Sequence, residues 1–238
     1  MEYPHLVNEI YKFFLDIFFP KKCLICGKYG ADFCFDCSLL IEEVKTFLCP
    51  ECGKITENGQ YCIACKGKIK PSLSAILIAS RYNVGPTKKL ISYFKYEGFV
   101  GLALPLAELI VSQIKKANVG LNNTIIVPVP LYIGRKNRRG FNQSELLARH
   151  ISKRLSLPGG EVLERTKDTT PQVSLTRANR LSNIENAFVC ADPDLIAGKT
   201  VILIDDVMTT GATLNECAKV LKKSGTKKVI GAVIARNI

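Results

Sequence analysis

Apolar residues recur at two different periods along this chain, and the change of period divides it. Leu6, Ile10, Phe13, Phe14, Ile17 and Phe18 fall three or four residues apart, the spacing of one helix face. From residue 21 to residue 69 no period holds, and glycines and cysteines punctuate the segment instead. After Pro71, short apolar runs alternate with longer amphipathic stretches. Strands are expected over 75–82, 124–129, 200–205 and 227–235, with a short one over 161–165. Helices are expected over 87–96, 102–117, 142–155 and 212–223. A polar, basic connection covers 166–180. The pattern predicts an amphipathic helix in 1–20, a small cysteine-rich domain in 21–69 and an α/β domain in 71–238. Strands alternating with helices imply a mostly parallel sheet flanked by helices on both faces. Ligands of such sheets bind beyond the carboxyl ends of the strands.

Eight of the ten cysteines form four Cys-x-x-Cys pairs: Cys23/Cys26, Cys34/Cys37, Cys49/Cys52 and Cys62/Cys65. Two intervening residues suit a metal chelate better than a structural disulfide. Four thiolates close one tetrahedral zinc shell, so the set predicts two structural Zn²⁺ sites with no open position for substrate. Sequential pairing gives two ribbons in tandem and interleaved pairing gives a cross-brace; the short loops between pairs favour the tandem form. Cys190 and Cys217 stand alone and read as core residues.

Charge and composition narrow the functional classes. Hydrophobic content of 47% with 23% charged residues is that of a soluble globular protein. The longest apolar stretch, 13–19, is broken by Asp16 and is far shorter than the ~20 residues a bilayer demands. Glu2 precedes any lysine, unlike a signal peptide. A cytoplasmic protein without a membrane span is expected. Lys and Arg outnumber Asp and Glu by 33 to 21, a formal charge of +12. Eight thiolates on two Zn²⁺ would lower this to about +8, still favouring phosphate-bearing ligands.

The most informative string runs from Val201 to Thr213. Four branched apolar residues lead into Asp205 and Asp206, and Thr209-Thr210-Gly211-Ala212-Thr213 opens the next helix. At a helix start several backbone N–H groups lack partners, so a phosphate is favoured there. Gly211 lets the backbone approach the anion and the threonines add donors. Two carboxylates beside that nest suit ribose hydroxyls and a Mg²⁺ ion. A second strand ends in Pro128-Val129-Pro130, followed by a cation run with Arg138 and Arg139 that suits an anion.

The Val201–Thr213 string resembles the ribose-phosphate signature of type I phosphoribosyltransferases. Further landmarks make the whole chain similar to the ComF family, linked to DNA uptake in naturally transformable bacteria. They are the Cys-x-x-Cys pairs after Phe-Phe-Pro, Lys95-Tyr96-Glu97-Gly98, Pro128-Val129-Pro130, Arg138-Arg139-Gly140-Phe141-Asn142-Gln143, Gln172-x-x-Leu175-x-x-x-x-Arg180-x-x-Asn183 and Asp205-Asp206. The resemblance implies a type I phosphoribosyltransferase-like sheet behind a double zinc ribbon. It implies phosphoribosyl pyrophosphate as ligand with Mg²⁺, and displacement of pyrophosphate at the anomeric carbon with transfer of phosphoribose to an unidentified acceptor.

On the same resemblance Asp205 and Asp206 contact the ribose 2- and 3-hydroxyls, and Thr209–Thr213 hold the 5-phosphate. Pro128, Val129, Pro130, Arg138 and Arg139 would meet pyrophosphate, with Arg177 and Arg180 on a lid over 165–180. Thr209 stands where purine-salvage relatives carry an acid, so a purine acceptor is not implied. Single-stranded DNA and DNA-uptake proteins are the further partners it raises, with a non-catalytic module responsive to the sugar diphosphate as the alternative.

Overall fold

The computed structural model describes residues 20–168 and 184–236. The helix expected in 1–20 and the lid with Arg177 and Arg180 therefore lie outside the described residues. Four parallel strands form the central sheet: β1 (Ala75–Arg81), β2 (Thr124–Pro128), β5 (Thr200–Met208) and β6 (Lys228–Arg236), in the order β1-β6-β5-β2. Alternate residues of each strand enter opposite cores. Leu77, Ile126, Ile202 and Ile230 face one side, and Ile76, Ile125, Val201 and Val229 face the other. Both faces are covered, which is why these runs read as continuously apolar.

The first face packs against α3 (Thr87–Tyr96), α4 (Ala103–Lys116) and α6 (Gln143–Leu155) through Phe94, Ile110 and Leu147. The second packs against α7 (Ala212–Lys223) through Leu214, Cys217 and Leu221, beside the antiparallel pair β3 (Leu163–Arg165) and β4 (Phe188–Cys190). Cys217 is buried as expected, whereas Cys190 is only partly buried at the margin of this core.

Strand β4 has no counterpart in the sequence reading, and two other elements of the α/β domain depart from it. β5 continues three residues past Asp205, because β6 is as long and pairs Asp205 with Val233 and Met208 with Arg236. Its other neighbour, β2, stops at Pro128 opposite Ile204. The two acids therefore lie within the strand, where one side of the ladder has already opened. The cation run forms a short helix, α5 (Ile133–Arg139), closed by Gly140 in the left-handed region at φ 82.

The cysteine-rich region, with helices α1 (Phe35–Ser38) and α2 (Ile63–Ile69), covers the β1 edge of the sheet. Val44 N donates to Ala79 O at 2.9 Å, and Glu43 and Gln60 form antiparallel bridges to Ser80 and Ala75. Gly59, at φ 70, passes so close to β1 that a Cβ there would overlap the Ile76 carbonyl. The opposite edge is covered too, since Ile126 N donates to Pro158 O at 2.9 Å. Neither edge is left as a template for aggregation.

Candidate functional site

The eight paired cysteines form two clusters, Cys23/Cys26/Cys34/Cys37 and Cys49/Cys52/Cys62/Cys65, each with its sulfurs within 4.8 Å of one another. This is the tandem grouping. Sγ of Cys26 and Cys34 are 3.6 Å apart, and those of Cys52 and Cys62 are 3.7 Å apart. A tetrahedron with Zn–S bonds of about 2.3 Å has edges of about 3.8 Å, so the donor sets fit structural zinc. Burial opposes ionisation of Cys23 and Cys49. Backbone N–H groups, from Cys26 and Cys34 at the first and Cys52 and Cys62 at the second, outweigh it and draw each thiol down to about 6. Each cluster is thus prepared to present a thiolate.

The second site is a cleft of about 520 Å³ at the carboxyl ends of β2 and β5. Of the residues expected to bind ligand, Val129, Pro130, Arg139, Asp205, Asp206, Thr209 and Thr213 line it. Thr210, Gly211 and Ala212 complete the turn between the last two. Gly211 takes φ 77 as the residue before α7, and Thr210 Oγ accepts from Ala212 N at 3.4 Å. Pro128 and Arg138 stand elsewhere. Pro128 lines a separate recess with Glu145 and Arg149, because strand alternation turns it away from Val129. Arg138 lines a depression of about 580 Å³ that shares Lys95, Tyr96, Arg135 and Arg139 with the cleft.

The acid pair is held asymmetrically. Asp205 Oδ1 accepts from Ser144 Oγ at 3.1 Å and from Asp206 N at 2.9 Å. Asp206 Oδ1 accepts from Val207 N at 2.5 Å and pairs with Lys95 Nζ at 2.8 Å. Burial foremost, and then the neighbouring charge of Asp206, push the Asp205 carboxyl up to about 7, against the pull of Lys95. Burial disfavours the Lys95 ammonium as well, but Asp206 outweighs it and raises that group above its ordinary value.

The walls around these acids are basic. Lys88, Lys95, Arg135, Arg139 and Arg165 line the cleft, and its carboxylates among the described residues are Asp205 and Asp206. Burial, with the charge of Arg135, pulls Arg165 below its ordinary value. Arg139 donates to Gln143 Oε1 and lies 5.3 Å above the Tyr96 ring. The other end of that amide, Gln143 Nε2, is buried in the cleft wall with no partner among the described residues. A buried donor left unmet costs about 1–3 kcal/mol, so an acceptor reaching it gains that much. An excess of cations, an unmet donor and two carboxylates suit an anion that also carries hydroxyl groups.

Sequence reasoning assigned no role to Lys88 or Ser144; Lys95 and Gln143 entered only within family landmarks, Arg135 only within the cation run, and Arg165 only as the start of the lid. One signal was available: Lys88, Ile91, Ser92 and Lys95 recur at helical spacing and form the cleft-facing side of α3. Asn142 is the N-cap of α6, its side chain accepting from Ser144 N and donating to Val129 O. It thereby fixes the β2 end against the helix that carries Gln143 and Ser144.

Comparison with known proteins agrees with this geometry. Residues 104–238 match the phosphoribosyl transferase domain and residues 14–66 match the double zinc ribbon domain. Competence protein F of Haemophilus influenzae is 33% identical over 225 residues, covering 89% of this chain and 95% of that protein. DNA utilization protein YhgH of Escherichia coli is 33% identical over 221 residues, covering 88% and 94%. Competence protein ComFC of Streptococcus pneumoniae is 29% identical over 230 residues, covering 87% and 96%. No helix among the described residues is long and apolar enough to cross a membrane.

Proposed function

The chain belongs to the ComF family, and on that premise we propose that it binds phosphoribosyl pyrophosphate with Mg²⁺ in the cleft and transfers the phosphoribosyl group to an acceptor, releasing pyrophosphate. The observation that carries this reading is the pair Asp205 and Asp206, set within a basic cleft beside a glycine-initiated helix. A ligand that is only anionic would be repelled by those acids. A sugar with a vicinal diol and phosphates at both ends uses every part of the site.

Asp205 and Asp206 accept from the ribose hydroxyls, and the backbone N–H groups of 209–213 take the 5-phosphate. Arg135 and Arg139 offset the charge of the pyrophosphate, with the Val129–Pro130 backbone alongside. Mg²⁺, which the diol and the carboxylates can help to hold, would neutralise the leaving pyrophosphate. The C1–O bond breaks with its electron pair leaving on pyrophosphate, while a nucleophilic atom of the acceptor bonds to C1 and gives up its proton. The transition state resembles a sugar cation, so fixed positions and fixed charges supply the acceleration. Thr209 offers no carboxylate base for a purine. The names of the relatives concern competence and DNA utilization, and handling of incoming DNA is the process in which we place this activity.

A second reading is a non-catalytic module in which the bound sugar diphosphate governs contact with single-stranded DNA or a partner protein. The basic charge of +12 and the threonine at 209 favour it. Release of pyrophosphate from phosphoribosyl pyrophosphate across a panel of acceptors separates the two. The shared claim is tested by Asp205→Asn/Asp206→Asn in a titration calorimeter. Affinity should fall by about two orders of magnitude or more, two lost charge-assisted contacts at about 1.5–3 kcal/mol each, and unchanged affinity refutes the site.

A further inference from the structure

Lys95 comes from α3, upstream of the region that matches the phosphoribosyl transferase domain. It nevertheless lines the cleft, its ammonium 2.8 Å from Asp206 Oδ1. It also lines the arginine-rich depression next door, with Arg135, Arg138 and Arg139. Lys95 is thus the point where the acid pair meets the cation cluster. If Asp206 grips the diol of a ribose, the pyrophosphate on C1 is carried by the carbon next to that bearing the 2-hydroxyl. A cation already touching the diol-binding carboxylate is then one small rotation of a flexible four-carbon stem from the pyrophosphate oxygens.

We infer that Lys95 is a ligand-binding residue of this site, its ammonium pairing with Asp206 as described and contacting the 1-pyrophosphate of the bound sugar. The inference rests on the sugar-diphosphate reading above and adds a residue that the phosphoribosyl signature does not contain. Arg135 and Arg139 are less free to take this place. Arg135 bonds to Asp168 at 3.4 Å, and Arg139 is committed to Gln143 and to the face of Tyr96. Lys95 instead faces the diol position directly. Its swing exchanges one anionic partner for another, while the ribose hydroxyls replace the ammonium as donors to Asp206.

The test compares phosphoribosyl pyrophosphate with ribose 5-phosphate, which has the diol and the 5-phosphate but no pyrophosphate. Both are titrated calorimetrically into the zinc-loaded full chain at fixed Mg²⁺, for wild type and for Lys95→Met, Lys95→Gln and Lys95→Arg. Removing one charge-assisted contact should weaken phosphoribosyl pyrophosphate about tenfold or more in the Met and Gln variants. Ribose 5-phosphate should stay within about threefold, and Lys95→Arg should keep most of the affinity for both. Equal losses for the two ligands would mean that Lys95 acts only by arranging Asp206, and unchanged phosphoribosyl pyrophosphate binding would mean no contact; either overturns the inference. A wild type that binds neither ligand overturns the underlying reading too and is recognised before any variant is made. Should Lys95→Met fail to fold by circular dichroism, Lys95→Gln, which keeps a polar end near Asp206, carries the same expectation.

Discussion

The Lys95–Asp206 pair makes a stability prediction that needs no ligand. Both side chains are largely withdrawn from water, at 20% and 11% exposure. Removing one partner strands the other. Asp206→Leu leaves the ammonium facing Lys88, Arg135, Arg139 and Arg165 with only Asp205 for relief. The loss should be about 3 kcal/mol, the lower end for a broken buried pair because the cleft is open to water on one side. Lys95→Met strands Asp206 beside Asp205. Asp205 already holds its proton up to about 7 and can shed that repulsion by keeping it, so the loss is smaller, about 2 kcal/mol. In Lys95→Met/Asp206→Leu neither member of the pair is left without the other and two apolar side chains fill the space, but Asp205 loses the nearby ammonium as well. The double variant should lie about 2 kcal/mol below wild type, a coupling of about 3 kcal/mol. Equilibrium unfolding in urea at constant zinc, followed by circular dichroism, measures all four corners of the cycle. Losses additive within about 0.5 kcal/mol would refute the pairing and the electrostatic account of the cleft built on it.

Two further outcomes follow from the same structure. Because Asp205 sits at about 7 rather than its ordinary 3.8, the folded protein holds more protons than the unfolded chain between those values. The stability this group contributes is full below about pH 4 and is lost as pH rises through about 7; Asp205→Asn should therefore gain on wild type from pH 5 to pH 8 in urea unfolding at fixed zinc, and a constant difference would refute the assignment. Metal analysis should find two zinc ions per chain, and a strong chelator should speed hydrogen exchange at the Val44 amide, which bonds to Ala79 on the sheet edge; fewer than one ion, or exchange indifferent to chelation, would refute the role of the metal in holding that edge.

Much of this was legible in the chain because the relevant signals are contiguous. The run 201–204 is apolar at every position because both its faces are covered, and α7 spans the expected 212–223 because its apolar residues recur at helical spacing. The zinc donors announce themselves through spacing alone. The short helix Ile133–Arg139 was missed because a cation-rich segment with no buried residue carries no apolar stripe; its one local mark is Gly140. The length of β5 was missed for a different reason. Asp205 and Asp206 look like a strand end, yet β6 continues to pair beside them.

What the sequence determined by itself is the order of elements, the two four-cysteine sets and the strand–acid–loop–helix unit, since each is specified by neighbours along the chain. Which side chains converge on the acids was decided by the tertiary structure alone. Lys95, Ser144 and Asp206 come from three separate elements, and only the packing of α3 and α6 on one face of the sheet brings them together. The physical reason lies in range. Periodicity and turn chemistry act over a few residues, whereas an ion pair in a cleft is fixed by how whole helices bury their apolar faces. Asp205 illustrates the difference: its identity is local, but its raised pKa comes from burial and charges that folding gathers around it.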